Sequence, residues 1–120
     1  MDKKYVIAID FDGNLHNDWQ PIQERIEIVK KLANNGHRIY LLTASLQPYL
    51  KTVIDNNQIY YYQMTDEYWE LHNKIYYWCR ENGIYLNIWD ITPIKQHDTD
   101  FYVDISNRTW EEIAKEINHE

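Results

Sequence analysis

A short apolar run, Tyr5 to Ile9, breaks off abruptly into Asp10-Phe11-Asp12-Gly13. A continuous apolar run without polar alternation reads as a strand buried on both faces, the environment of a parallel sheet covered by helices. Arg38 to Leu42, Ile84 to Ile88 and Phe101 to Val103 read as three further strands. Between them lie helical periods. In Pro21 to Asn34, Ile22, Ile26, Val29 and Ala33 share a face, Pro21 suits a first turn and Gly36 suits a left-handed cap. In Tyr68 to Asn82, the residues Tyr68, Leu71, His72, Ile75 and Cys79 share a face and Gly83 stops the helix. Thr109 to Glu112 has the form of a capping box, opening a last helix that buries Trp110, Ile113, Ala114 and Ile117. Alternating strands and helices predict an α/β fold: a Rossmann-like three-layer α/β/α sandwich around a mainly parallel central sheet, with right-handed crossovers. From 46 to 64 there is no clean period, and Pro48 interrupts the segment.

At 120 residues the chain suits one domain, 1–120, with one core and one site. The 19 Asp and Glu outnumber the 12 Lys and Arg, which disfavours nucleic acid as a partner. Cys79 has no second cysteine to pair with, which fits a reducing compartment, and it reads as a buried apolar residue and not a nucleophile. No apolar run reaches membrane-spanning length, and Met1 to Lys4 leads straight into the first strand, so a soluble, cytoplasmic protein is expected. The eleven Tyr and five Trp, with no basic residues interleaved, read as core filling and helix cover before they read as a stacking platform. Where such rings are exposed they offer a surface for homo-oligomer formation.

The strand-like runs end in residues suited to phosphate chemistry: Asp10 and Asp12, then Thr43, then Asp104, with Lys95 in the loop before the last strand. In a parallel sheet these ends share one edge, where ligands of such folds bind. Asp10 and Asp12 flank Phe11, and Gly13 lets the chain turn, so one carboxylate faces a ligand in line for attack and the other sits beside it for proton transfer. A carboxylate nucleophile forms an acyl phosphate and divides a hard displacement into two easier steps. An anionic nucleophile approaching an anionic phosphate calls for Mg2+, with Asp10 and Asp104 as oxygen ligands. The Thr43 hydroxyl, the backbone of the turn at Ala44 and the Lys95 ammonium would hold the phosphate. Taken singly, each has an ordinary alternative: a turn after a strand for D-x-D-G, a strand-end hydroxyl for Thr43, a solvated lysine for Lys95, a helix or turn cap for Asp104.

Val6-Ile7-Ala8-Ile9-Asp10-Phe11-Asp12-Gly13-Asn14-Leu15 resembles the first motif of the haloacid dehalogenase (HAD) superfamily, an apolar strand followed by D-x-D-G-T-L. Leu41-Leu42-Thr43-Ala44 resembles the second motif, Lys95 stands for the third, and Phe101-Tyr102-Val103-Asp104 is similar to the fourth. The resemblance covers most of the chain. It implies a small capless phosphatase or phosphotransferase that hydrolyses a phosphate monoester through an aspartyl-phosphate on Asp10. Asp12 would be general acid and base and give its backbone carbonyl to magnesium; Thr43 and Lys95 would hold the phosphate; Asp104 would complete the metal site. Gly13, Asn14 and Ala44 are the expected substrate-binding positions. The segment at about 46–64 would act as a minimal cap, leaving an open site for a phosphorylated small molecule or a phosphorylated macromolecule.

Two positions depart from the motifs. Asn14 replaces the usual Thr, and an amide can also fix the turn; Ile105 replaces the usual second Asp of the fourth motif, with Ser106 and Asn107 as the nearest substitutes. Ile105 supports an alternative, a degenerate HAD-like domain that binds a phosphorylated ligand or a partner without turnover. A receiver domain is a third reading and ranks lower, because its acids are adjacent whereas these are spaced D-x-D, and Asp55 follows no convincing strand.

Overall fold

The structure, a computed structural model, describes residues 4–94, 99–103, 110–113 and 115. Its centre is a four-stranded, all-parallel sheet. The first strand, β1 (Val6–Asp10), lies between β4 (Arg38–Leu42) and β8 (Phe101–Val103), and β4 also pairs with the short β7 (Ile91–Thr92). Two small hairpins complete the strands: β2 (His16–Asn17) with β3 (Gln20–Pro21), and β5 (Leu50–Asp55) with β6 (Gln58–Met64). The helices are α1 (Gln23–Asn34) and α2 (Asp66–Glu81), and residues 110–113 are helical.

Register explains why β1 is apolar from Val6 to Ile9. Ile7 aligns with Ile39 and Phe101, and Ile9 with Leu41 and Val103, so these side chains share one face. On that face they form the main core with Ile26, Val29 and Leu32 of α1, Ile75, Trp78 and Cys79 of α2, and Trp110 and Ile113. Each large aliphatic side chain buried there contributes roughly 1.5–3 kcal/mol. The other face carries Ala8, Tyr40 and Leu42, with Val6 packed against them. Both α1 and α2 therefore bury their apolar stripes in the cluster on the Ile7 and Ile9 face.

Helix ends follow local chemistry. Thr65 caps α2 by accepting the Tyr68 N–H at 3.3 Å, and Asp66 and Glu67 in the first turn suit the helix dipole. The helix thus starts earlier than the periodicity at Tyr68 suggests. Pro21 is not in the first turn of α1; it pairs with His16 in β3, and α1 starts at Gln23 after the Ile22 N–H has bonded the Leu15 carbonyl at 2.9 Å. At the other end Gly36 takes a φ of 90°, while its N–H bonds Ala33 and the His37 N–H bonds Leu32, which closes the helix.

The segment from 84 to 88 is not the third strand. Ile84 is buried after the turn at Gly83, Tyr85 is exposed, and a 3-10 turn follows at Ile88–Asp90. The Ile88 carbonyl is taken by His72 Nε2 at 2.7 Å and the Asn87 carbonyl by the Asp90 N–H at 3.0 Å, so these carbonyls serve local bonds while β7 supplies the edge strand. The 46–64 stretch is a 3-10 turn, Ala44–Tyr49, leading into the β5–β6 hairpin, whose turn residues Asn56 and Asn57 have φ of 51° and 63°. A register shift between Val53 and Ile54 breaks the alternation that would have revealed the hairpin. No helix among the described residues is long and apolar enough to cross a membrane. Thr109, Ala114 and Ile117 lie outside the described residues.

Gly36→Ala should lower stability by about 1–2 kcal/mol, the cost of a left-handed residue with a Cβ, and Gly36→Asn by less; urea denaturation measures both. His72 gives a pH prediction. Burial lowers its pKa, with the bonds to the Ile88 and Ile91 carbonyls opposing in part, so the native ring stays neutral where the unfolded ring protonates. Its contribution is present at neutral pH and is lost as pH falls below about 6.5. His72→Gln keeps a donor for Ile88 and should flatten the decline in melting temperature on the acid side of pH 6.5.

Candidate functional site

The sheet brings the ends of β1 and β4 together at its carboxyl edge. The Phe11 N–H extends the ladder to the Leu42 carbonyl at 2.8 Å, and the Thr43 N–H bonds the Thr92 carbonyl at 3.0 Å. Asp10 ends β1, half-buried, and lines a cleft of about 260 Å³ with Leu42, Ala44, Gln47, Pro93 and Tyr102. Gln47 Nε2 donates to the Pro93 carbonyl at 3.0 Å, which ties the 3-10 turn after β4 to the loop after β7.

Phe11, between the two acids, is completely buried. Asp12 reaches toward β4, where its Oδ1 accepts from Ser45 Oγ at 3.3 Å, and Ser45 Oγ lies 3.2 Å from Thr43 Oγ1. The Asp12 Oδ2 atom is buried and has no hydrogen-bond partner among the described residues. Gly13 has a φ of 71° with open space where a Cβ would stand, so backbone conformation and not crowding demands glycine there.

Asn14 is not at the cleft surface. It is fully buried, its Nδ2 donates to the Asp10 carbonyl at 2.7 Å and the Val103 carbonyl at 3.5 Å, and its Oδ1 accepts from Trp110 Nε1 at 2.9 Å. The amide expected to touch substrate is spent inside the protein, fixing the turn. Arg25 Nη1 adds a 2.7 Å bond to the Asn14 carbonyl. Thr43 is also fully buried, and the exposed hydroxyl at this edge belongs to Ser45. Ala44 is exposed on the cleft wall.

Of the expected site residues, Asp10, Asp12, Gly13, Asn14, Thr43 and Ala44 gather at this edge, whereas Lys95 and Asp104, like Ile105, Ser106 and Asn107, lie outside the described residues. Ser45 and His16 are additions. His16 is buried beside Asp12, with Nε2 at 3.8 Å from Asp12 Oδ1. Ser45 stands two residues after Thr43, beyond the residues that resemble the second motif, and His16 follows the first motif without belonging to it.

Compared with family models, curated proteins and solved structures, the chain matches none. The site is therefore judged on its own chemistry. Asp10 and Asp12 offer hard oxygen donors, and the orphaned Asp12 Oδ2 shows an acceptor unspent within the protein. Among the described residues no group of three or more His, Cys, Asp or Glu side chains is placed to hold a metal ion. A cation here would draw, among the described residues, on the Asp10 carboxylate and the Asp12 backbone carbonyl. Cys79 is no rival nucleophile, since burial pushes its thiol up to about 12. A cleft of about 470 Å³ elsewhere is lined by His37, Arg38 and Arg80 at the opposite, amino end of β4, where Arg38 pairs with Asp90 at 3.4 Å.

Asn14→Ala should destabilise the fold by about 1–3 kcal/mol, because it strands the Trp110 Nε1 donor and the Asp10 carbonyl in the interior. Chemical denaturation monitored by tryptophan fluorescence measures the loss.

Proposed function

We propose that the carboxyl-edge cleft is a phosphoryl-transfer site of the HAD kind and that the chain hydrolyses a phosphate monoester. The observation that supports this reading is what each acid is near: Asp10 lines the cleft, while Asp12 accepts from Ser45, whose hydroxyl lies beside that of Thr43. Two carboxylates two residues apart thereby acquire different jobs.

In the first step a carboxylate oxygen of Asp10 forms a bond to phosphorus as the bond from phosphorus to the leaving oxygen breaks. Asp12, protonated at that point, gives its proton to the leaving oxygen and becomes a carboxylate. In the second step Asp12 takes a proton from water as that water's oxygen attacks phosphorus, releasing inorganic phosphate and restoring Asp10. Ser45 and the backbone at Ala44 orient the phosphate from the β4 side, and Lys95 adds positive charge to the transferring group. Magnesium, held by the carboxylates of Asp10 and Asp104 and the backbone carbonyl of Asp12, would offset the repulsion between nucleophile and phosphate.

The same reading implies a three-layer sandwich, with its second outer layer against the Ala8, Tyr40 and Leu42 face. The burial of those three side chains supports cover there. The β5–β6 hairpin, which exposes Ile54, Tyr62 and Met64, would be the minimal cover or a surface for a second copy. A phosphorylated small molecule or macromolecule remains the substrate class.

Magnesium-dependent release of phosphate from an aryl phosphate tests the proposal. Asp10→Asn should abolish turnover, since an amide cannot form the acyl phosphate, and Asp12→Asn should slow it by ~10²–10⁴-fold. Full activity in Asp10→Asn would remove Asp10 as nucleophile. No release by the wild type at any magnesium concentration, with phosphate-induced thermal stabilisation retained, would favour a binding module without turnover.

A further inference from the structure

The β2–β3 hairpin turns through Asp18 and Trp19, both in the left-handed region at φ of 49° and 68°. Two-residue hairpins favour this geometry but normally select Asn-Gly for it, so a tryptophan there is strained. Several contacts hold it in place, three of them to His16 and Trp78. The Trp19 N–H donates to His16 Nδ1 at 3.1 Å, the Trp19 carbonyl accepts from Trp78 Nε1 at 2.9 Å, and the indole stacks on the His16 ring with centroids 5.3 Å apart.

The first contact defines the imidazole. Because Nδ1 accepts a hydrogen bond, the neutral ring carries its proton on Nε2. That N–H faces Asp12 Oδ1 at 3.8 Å, too far for a hydrogen bond. His16 Nε2 and Asp12 Oδ2 are both buried and both lack a hydrogen-bond partner among the described residues. The bond that Asp12 does accept, from Ser45 at 3.3 Å, is long for a hydroxyl donor. Rotation of the Asp12 side chain would bring an unmet acceptor to an unmet donor of the neighbouring ring, and each unmet group costs about 1–3 kcal/mol.

We propose that His16 is a positioning residue for Asp12: the carboxylate has a second, inward station on the Nε2–H of His16, and in taking it releases Ser45 to the ligand. The strained turn keeps the ring in the tautomer that can donate. The packing around His16 prevents the imidazole from following Asp12 outward, since Phe11 lies 4.4 Å and Trp78 5.8 Å from it between ring centroids. Only the carboxylate moves. The inference rests on the phosphoryl-transfer reading for the chemical role of Asp12, but the hydrogen bond itself does not.

Two substitutions separate the two nitrogens. In His16→Asn the side-chain oxygen can still accept from Trp19, but no donor reaches Asp12. In His16→Gln the amide nitrogen extends to the place of Nε2, and the turn contact weakens instead. With the full chain and an aryl phosphate, His16→Asn should lower kcat by about tenfold with KM unchanged, and His16→Gln should retain most of kcat despite a lower Tm. Wild-type kcat in His16→Asn, or losses in both variants that simply track Tm, would overturn the proposal. A readout free of catalysis uses side-chain nitrogen NMR of the labelled protein. The His16 ring should show the Nε2–H tautomer, and Asp12→Asn should shift its Nε2 resonance. If the wild type shows no turnover, the phosphoryl-transfer reading fails while the resonances still decide the hydrogen bond; an Nδ1–H tautomer, or an Nε2 signal indifferent to Asp12→Asn, overturns it.

Discussion

A buried amide at position 14 joins parts of the chain that are far apart in sequence. Through Nδ2 it holds the carbonyl of Asp10, where β1 ends, and through Oδ1 it holds the indole of Trp110. The same side chain approaches the Val103 carbonyl at the end of β8, and Arg25 of α1 bonds its carbonyl. The turn after β1, the last described strand and the first helix are thus referred to one polar group in an apolar interior. Such a group holds geometry tightly because any misplacement leaves a donor or acceptor unmet where water cannot reach. The direction in which Asp10 and Asp12 leave the sheet depends on this anchor.

Much of the frame was legible in the chain. β4 spans Arg38–Leu42 as its apolar run indicates, Phe101–Val103 is a strand, and the ends of both helices lie near their glycine stops. These elements obey simple periods because one partner, the core, dictates their pattern. The segments that escaped have mixed partners. Ile84 to Ile88 is apolar like a strand, but Ile84 packs inward, Tyr85 stands in solvent beside Arg80, and Ile88 gives its carbonyl to His72. Pro21 has the φ of a first helical turn and of an edge strand alike, and the pairing with His16 decided between them. In the β5–β6 hairpin the Asn56-Asn57 turn was a readable signal, masked by the register shift three residues earlier.

The site divides along the same line. Asp10, Asp12 and Thr43 were legible because parallel strands put their carboxyl ends on one edge, whatever the sequence distance between them. Which of their atoms face the cleft was not. Asn14 turns inward because Trp110 and two strand-end carbonyls need it, and the Thr43 side chain is covered, leaving Ser45 to present the hydroxyl. These outcomes depend on contacts between residues separated by up to 96 positions, which no local pattern records.

The two sides of the Asp12 carboxylate differ in a way that bears on how such a site could work. On the β4 side its partner is an exposed serine, joined by a long bond that water or a phosphate oxygen can replace at little cost. On the hairpin side its neighbour is a buried histidine, locked by aromatic packing and by a turn whose backbone is itself strained. Strain of that kind persists only when the surroundings over-determine it, and here the contacts of Trp19 with His16 and Trp78 do so. A soft partner facing solvent and a rigid neighbour facing the core thus stand on the two sides of this carboxylate. An acid that must donate a proton and then accept one needs such alternatives within a single side-chain rotation, because a carboxylate locked by one strong partner would resist the change of charge.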